Sequence, residues 1–469
     1  MSTLMLEDSP LWIDVQDILK PSDKKVHFEY RGMFHTVKED IPMLKILSID
    51  IIRDYATNIG DQINIEFKLP LGDYVARLYP YRFNLEVTIK QIELEETTTI
   101  KKPNTIIKTE RYKAIFLPTA NPAVSASDSE MTDIESLNKI NMVDVKLQLV
   151  NRALEVLRIK TVCGIFKQVT QEKLIHSVLM GESNKILIDG KPAVKGMDIV
   201  TPDNLEVRKH TIIPTGLHIT ALPTYLQDAM GGVYIGGIGT YLQTYKDNSM
   251  WFIYPLFDLN RFDKNVDKAI IYGLPKERFP SLNRTYKKTA SIVTILATSE
   301  RQYKDSADTD YMNHGSGFRM SDARPFMKKP IVITEEGPKG DRTGLNHEVS
   351  HLDRGDNLNY GPMVLTGSSS NPYREYSKLS ARNVSRIDFV WENADYSLIY
   401  PGMPCKYVFL SKEKQVEIKG VILFVHAFTA LQGHGITASD YRTMCQISIV
   451  CENYKHTPEI PITKSVGDF

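Results

Sequence analysis

Apolar and polar residues alternate with a period of two along much of the chain. In DQINIEFKLP, Ile63, Ile65, Phe67 and Leu69 fall on one face and Gln62, Asn64, Glu66 and Lys68 on the other. FNLEVTIK repeats the pattern through Phe83, Leu85, Val87 and Ile89, and VDVKLQLV repeats it through Val143, Val145, Leu147 and Leu149. Successive side chains of an extended strand point to opposite faces, so these segments predict half-buried strands of antiparallel sheets or barrels. CKYVFL, QVEIKGVILFV and TMCQISIVC form a further strand-rich block near the C-terminus, broken by Lys-Glu-Lys and Gly turn signals.

Helical periodicity is rarer. QEKLIHSVLM places Leu174, Ile175, Val178 and Leu179 on one stripe, with Thr170 available as N-cap and Glu172 in the first turn. PTYLQDAM, from Pro223, predicts a short helix ending at Gly231-Gly232, and DIESLNKI predicts another. Two stretches read as connections: the small, acidic TANPAVSASDSEMTD at 119–133, and a polar excursion over roughly 300–380. So long a polar segment in a folded chain is usually a contact arm or an active-site lid. No strict short-period repeat is present.

At 469 residues the chain can hold several domains and a large core. Lys plus Arg and Asp plus Glu are equal at 57 each, so no global field draws it to nucleic acid. The four cysteines, Cys163, Cys405, Cys445 and Cys451, form no C-x-x-C pair and are expected as buried small hydrophobes in a reducing compartment. MSTLMLEDSPLWID lacks the basic-then-apolar layout of a signal peptide, so synthesis in a cytoplasm is expected. No apolar run reaches membrane-spanning length. The N-x-S/T triplets at Asn283 and Asn383 then carry no meaning.

One motif points to chemistry. His347-Glu348-Val349-Ser350-His351 spells the H-E-x-x-H of zinc peptidases, in which two histidines one helical turn apart bind the metal and the Glu acts as general base. That site needs a helix, and here Gly344 precedes the motif while Asp353-Arg354-Gly355-Asp356-Asn357 follows it. The extended form also wants Gly and His where Arg354 and Asn357 stand, and Glu375, the other candidate third ligand, lies in the turn-like NPYREYS. A chain this long meets the five-residue pattern by chance about once in 60 cases. Loop histidines are therefore expected.

GGVYIGGIGTYL lacks the third glycine of a dinucleotide fingerprint and predicts a tight hairpin or bulge. GPKGDRTG lacks the Gly-Lys-Ser/Thr ending of a phosphate loop, and no Gly-x-Ser-x-Gly elbow occurs. No catalytic residue, metal ligand or cofactor site is expected.

Three segments together carry a resemblance. IDIIRDYATNIGDQINIEFKLPLGDYVARLYPYRFNLEVTIKQI runs strand, Gly-Asp turn, strand pair. LPTYLQDAMGGVYIGGIGTYLQTYKDNSMWFIYPLFDLNRF runs short helix, Gly-rich hairpin, aromatic strand. IYPGMPCKYVFLSKEKQVEIKGVILFVHAFTALQGHGITASDYRTMCQISIV runs Pro-Gly, strand, turn, Gly-centred strand, His, loop, Tyr-x-Thr, strand. That order, over perhaps a third of the chain, is similar to the baseplate hub (tube-initiator) proteins of contractile-tailed bacteriophages, whose fold also opens type VI secretion spikes. The arm at 300–380 matches nothing in that family.

The resemblance implies a mainly β (α+β), multidomain chain: two similar antiparallel β-barrel tube-type domains, an inserted α/β subdomain and a long loop arm. The division it suggests is 1–118, first barrel; 119–141, linker; 142–165, start of the second barrel; 166–285, inserted helix and hairpin subdomain; 286–299 and 381–469, rest of the second barrel; 300–380, arm. Pro401-Gly402 and Gly420 would lie at barrel corners. The implied function is structural: a homotrimeric hub in the virion's tail baseplate, joining the hexameric tail tube to the three-fold central spike. Its other partners would be the tape-measure protein and further baseplate proteins, with DNA only in transit and no membrane insertion. The alternatives are another phage virion or assembly protein and, from a different class, a zinc metallopeptidase using His347, Glu348 and His351.

Overall fold

The alternating segments form strands whose buried faces meet in one large core. The computed structural model describes residues 15–18, 25–96, 105–117, 142–188, 190–245, 248–273, 285–303, 384–411, 414–432 and 440–451, with short pieces at 317–322, 339–341, 347–352, 364–366, 371, 373–374, 377, 380–381 and 459–461. The expected helix DIESLNKI and linker 119–133 lie outside the described residues, as does most of the arm.

Seven strands come first: β1 (Lys25–His35), β2 (Asp40–Pro42), β3 (Lys45–Asp54), β4 (Gln62–Pro70), β5 (Glu86–Glu96), β6 (Thr105–Phe116) and β7 (Met142–Asn151). In β4 the predicted face of Ile63, Ile65, Phe67 and Leu69 is buried throughout. In β7 Val145, Leu147 and Leu149 are buried, while Val143 is half-buried. The FNLEVTIK expectation holds for Leu85, Val87 and Ile89 but fails at Phe83, which is 75% exposed. Residues Asp73–Leu78 and Tyr79–Asn84 are helical turns, and β5 begins only at Glu86, so Phe83 never joins the strand's alternation.

A helical and ribbon region follows, with α1 (Arg152–Arg158), β8 (Thr161–Val169), α2 (Gln171–Ser183), β9 (Leu187–Ile188), β10 (Lys191–Pro192), β11 (Gly196–Ile199), β12 (Arg208–His218), α3 (Leu222–Asp228), β13 (Ile238–Tyr245) and β14 (Asn248–Pro255). Helix α2 starts as expected: Thr170 Oγ1 accepts from the Lys173 amide at 3.3 Å, and Leu174, Ile175 and Leu179 are buried. The predicted helix from Pro223 is α3, which ends just before Gly231-Gly232. The hairpin expected over GGVYIGGIGTYL is displaced: the first glycines lie in a loop, and β13 pairs with β14. Residues Ala153 to Ile253 contribute a second core, centred on Trp251, whose indole donates to Ser183 Oγ.

The chain continues through β15 (Lys268–Gly273), β16 (Tyr286–Lys288), β17 (Ile292–Tyr303), β18 (Gly317–Asp322), β19 (Lys339–Asp341), β20 (His347–Leu352), β21 (Val364–Thr366), β22 (Ser385–Glu392), β23 (Pro404–Ser411), β24 (Lys414–Gln432), β25 (Asp440–Cys451) and β26 (Glu459–Pro461). Strands β18 to β21 form a separate four-stranded sheet within the segment expected to be a loop arm.

The pairings of the 15-stranded sheet return on themselves twice. One circuit runs β1-β5-β6-β7-β4-β3-β24-β25 and back to β1 through Phe28 opposite Tyr441, antiparallel throughout. The other runs β15-β23-β24-β25-β22-β17 and back to β15, with parallel pairings on both sides of β15. Both use the β24–β25 hairpin. One edge of the 19-residue β24 is divided: Lys414–Val421 pair with β23, and Phe424–Ala430 pair with β3. A register shift between Ile422 and Phe424 falls at the division. Gly420 stands beside it, and a Cβ there would lie 2.5 Å from the Val450 carbonyl oxygen.

These pairings differ from the expected division at two points. Strand β7, in the segment expected to open a second barrel, lies between β4 and β6. Strand β15, inside the expected inserted subdomain, lies between β17 and β23. Alternation reveals a strand but not its neighbour.

The eight-stranded circuit is filled. A cavity of about 20 Å³, room for about one water, lies among Tyr30, Ile49, Ile63, Ile89, Tyr112 and Tyr396. Circuits of this strand number are just wide enough for side chains to fill.

Three of the four cysteines are buried as expected, and Cys163 on β8 is exposed instead. Burial pushes the Cys445 thiol up to about 12 and Cys405 well above its ordinary range. Native protein at pH 8 should therefore give one fast-reacting thiol with an aromatic disulfide reagent and four after denaturation. More than one fast thiol in the native state would contradict the placement of β23 and β25.

Candidate assembly surfaces

The β24–β25 hairpin is apolar on both faces over part of its length. On its buried side Val425, Ala427, Cys445 and Ile447 fill the core. On its outer side Phe428 stands opposite Met444, and these are 45% and 51% exposed. The register across β3, β24, β25 and β22 places Asp50, Phe428, Met444 and Glu392 in one row. Charge pairs border the stripe: His426 Nε2 lies 2.6 Å from Asp50 Oδ1, and Arg442 Nη2 donates to Glu392 Oε2 at 2.7 Å. An exposed Phe–Met pair on a sheet exterior suits a protein contact better than solvent.

A second surface is the two-stranded ribbon of β8 and β12. Its inner face, with Phe166 and Ile213, packs on the second core. On its outer face Ile165 stands opposite Ile212, at 63% and 56% exposed, next to Lys167 opposite His210. Neither strand contains a carboxylate, while Lys167, Arg208 and Lys209 contribute positive charge.

A polar node lies where the β13–β14 hairpin meets β3 and the β3–β4 turn. Arg53, on the core side of β3, is 2% exposed. Its Nε and Nη2 donate to Asp61 Oδ2 at 3.1 and 3.0 Å, and Nη1 donates to the Tyr396 carbonyl at 3.0 Å. Burial alone would depress the guanidinium, but Asp61 and the surrounding tyrosines hold it well above its ordinary value. The second Asp61 oxygen accepts from Tyr241 of β13 at 3.1 Å. Tyr55 donates to Gln243 Oε1, whose amide donates to the Ile399 carbonyl. Tyr254 of β14 donates to the Tyr55 carbonyl at 2.8 Å. The Leu242 amide donates to the Ile59 carbonyl at 2.7 Å. The node thus ties the β13–β14 hairpin to the β3–β4 turn. Gly402 holds the other side: its φ is +66°, and a Cβ there would lie 2.1 Å from the Tyr254 ring.

The motif residues fall elsewhere. His347 to His351 lie in β20, which pairs with β18 and β19, so the helix a zinc peptidase needs is replaced by a strand. Four residues span about 13 Å along a strand. Two imidazoles sharing a zinc at about 2.1 Å each must bring their nitrogens within about 4 Å. Gly237-Ile238-Gly239 opens strand β13 where a dinucleotide fold would open a helix.

The surface residues Phe428, Met444, Ile165 and Ile212 and the node residues Arg53 and Asp61 were not singled out by sequence. Signals existed: LFVHAF is apolar at both parities, and Ile49, Ile51, Arg53, Tyr55 places a cation at a buried parity eight residues before Asp61.

No protein-family model matches the chain, and no curated protein matches it. It is similar to solved structures at low identity. One is the lidded Francisella PdpA–VgrG complex (TM-score 0.46, 10% identity, 97% of this chain and 56% of that chain). Another is a 43 kDa tail protein of prophage MuSo2 from Shewanella oneidensis (TM-score 0.44, 10% identity, 90% and 98%). A third is the E. coli c3393 protein, described as a type VI secretion component with similarity to T4 tail proteins gp27 and gp5 (TM-score 0.38, 9% identity, 92% and 79%).

Two outcomes follow from this geometry. Arg53→Met should cost about 1–3 kcal/mol in urea unfolding, because the half-buried Asp61 loses its cation and the Tyr396 carbonyl loses its donor. Arg53→Met combined with Asp61→Asn should recover part of that loss. Metal analysis of purified protein should show no zinc dependent on His347; stoichiometric zinc lost on His347→Ala would restore the peptidase reading.

Proposed function

We propose that this chain is a structural protein of a contractile-tail baseplate: a homotrimeric hub that joins the hexameric tail tube to the three-fold central spike. The observation that carries the reading is the pair of closed strand circuits on one hairpin. Read as two barrel units per chain, they give six units in a trimer, which fits a six-fold tube above, while the three-fold symmetry suits a spike below. The three sequence segments that resemble baseplate hubs support the same reading.

The proposed first unit comprises β1 to β7 and the β3-facing half of the shared hairpin. The second comprises β15, β17, β22, β23 and the other half. Residues from α1 to β14 form the inserted subdomain, and the segment containing β18 to β21 is a contact arm.

The mechanism needs no reacting group. Within the two circuits no long strand edge is left to pair at random, so these parts of two copies would meet through side-chain surfaces. The filled interior of the eight-stranded circuit means that a channel would have to be enclosed by several copies. The tape-measure protein and DNA would pass through that channel, and a net charge near zero would not retain DNA. Tube, spike and neighbouring baseplate proteins are the proposed partners, and the virion tail is the proposed location.

Light scattering of purified protein should give three times the 53.3 kDa of one chain, and negative-stain micrographs should show rings with a central hole. Monomers at micromolar concentration that stay monomeric with a spike protein would overturn the reading.

A further inference from the structure

Four glycines of GGVYIGGIGTYL, namely Gly231, Gly232, Gly236 and Gly237, lie in the loop between α3 and β13. Two buried amides hold that loop from within the second core. Asn204 Nδ2 donates to the Gly231 and Gly232 carbonyls at 3.0 and 2.8 Å. Gln227 Oε1 accepts from the Val233 and Tyr234 amides at 2.9 and 3.0 Å, and its Nε2 donates to the Tyr234 carbonyl at 2.8 Å.

The C-terminal root of the arm lies against the same loop. Tyr373, Arg374, Ser377, Ser380 and Ala381 are helical, so Tyr373 and Ser377 stand one turn apart on one face. That face meets the glycines. A Cβ on Gly232 would lie 2.1 Å from Tyr373 Cβ, and one on Gly237 would lie 2.9 Å from Ser377 Oγ. Side chains on this loop would therefore push the root away. Just before the helical turn, Asn371 Nδ2 donates to the Gln227 and Asp228 carbonyls at 2.6 and 2.9 Å. Carbonyls in the last turn of a helix lack intrahelical donors, so Asn371 caps α3 from a distant part of the chain. Asn371 and Tyr373 are both buried. None of the described residues between 371 and 381 pairs in a sheet, so the root is held by side chains and not by a strand ladder.

We propose that this root is a separable latch: Asn371, Tyr373 and Ser377 dock the arm on a preformed glycine floor, and undocking frees the root while both circuits stay folded. The bonds that shape the floor, from Asn204 and Gln227, involve no latch residue, so the floor keeps its form when the latch leaves. A free peptide of the same sequence can then fill it, because a rigid site has little ordering cost to meet on binding. The latch works within one chain and is independent of how many copies assemble.

The test is hydrogen exchange read by mass spectrometry on the full-length parent and on the double variant Asn371→Ala/Tyr373→Ala. In the parent, fragments covering 373–381 should exchange slowly. In the double variant they should exchange about 100-fold faster or more, about tenfold for the two amide bonds and about tenfold for the buried ring. Fragments from β4, β7 and β25 should keep parental rates, as expected for opening of a local unit. The synthetic peptide SSNPYREYSKLSA, residues 369–381, should slow exchange over 229–237 in the double variant and leave the parent, whose floor is filled, unchanged. Three results would overturn the latch: fast exchange of 373–381 in the parent, acceleration of β4 and β25 together with the root, or a peptide without effect on the double variant.

Discussion

The fold depends on the hydrogen-bonding capacity of one hairpin. Strand β25 pairs along its length with β24, while its other edge serves β22 and touches β1. Strand β24 divides its second edge between β23 and β3. Every backbone donor and acceptor along a central strand must find a partner, and here the partners come from both ends of the sequence. The register shift at Ile422–Phe424 and the side-chain-free position at Gly420 let one strand change neighbours, with the Leu423 carbonyl accepting from the Tyr55 amide at the changeover. Until β24 and β25 arrive, neither circuit can close. Contacts of such sequence separation carry a large loop-closure cost.

Closure also decides what the molecule can offer to others. A closed circuit presents no extended strand edge, and its centre is occupied by side chains, so recognition moves to the outer faces. Most outward positions of β4 are polar, namely Gln62, Asn64, Glu66 and Lys68. The outward positions of β24 over the same kind of surface are Phe424, His426 and Phe428. The hairpin exterior is thus more apolar than that of β4 in the same sheet.

Strand positions were legible because alternation is a local property, and β4, β7 and α2 follow it closely. Neighbours were not. Phe28 and Tyr441 close the larger circuit across almost the whole chain, and nothing local in either segment announces the other. Phe83 was misread because YPYRFN continues an apolar rhythm through a helical turn, where period two has no meaning. The HEVSH motif shows the opposite failure of letters: its spacing has chemical meaning only on a helix, and β20 is a strand. Arg53 and Asp61 were each readable as ordinary residues, a strand cation and a turn aspartate. The buried Arg53 and the half-buried Asp61 are enclosed only when β13 folds back over the turn.

That burial gives the node a consequence beyond stability. A buried ion pair commonly adds little net free energy compared with apolar replacements, but it tolerates few geometries. Here it fixes the β13–β14 hairpin, and with it the core that carries the ribbon, against β3. Strand β3 is in turn the direct neighbour of β24, whose exterior carries the Phe428 stripe. The ribbon's core and the stripe are therefore joined through β3 and the polar node, in which the Arg53–Asp61 pair and the bonds of Tyr55, Gln243 and Tyr254 take part. In any head-to-tail assembly the angle between two such patches sets the rotation from copy to copy, and hence how many copies close a ring. A packed apolar contact in place of Arg53 and Asp61 could hold the same parts together, but with more freedom in that angle. A fixed direction, more than added stability, is what a charge pair at this junction supplies.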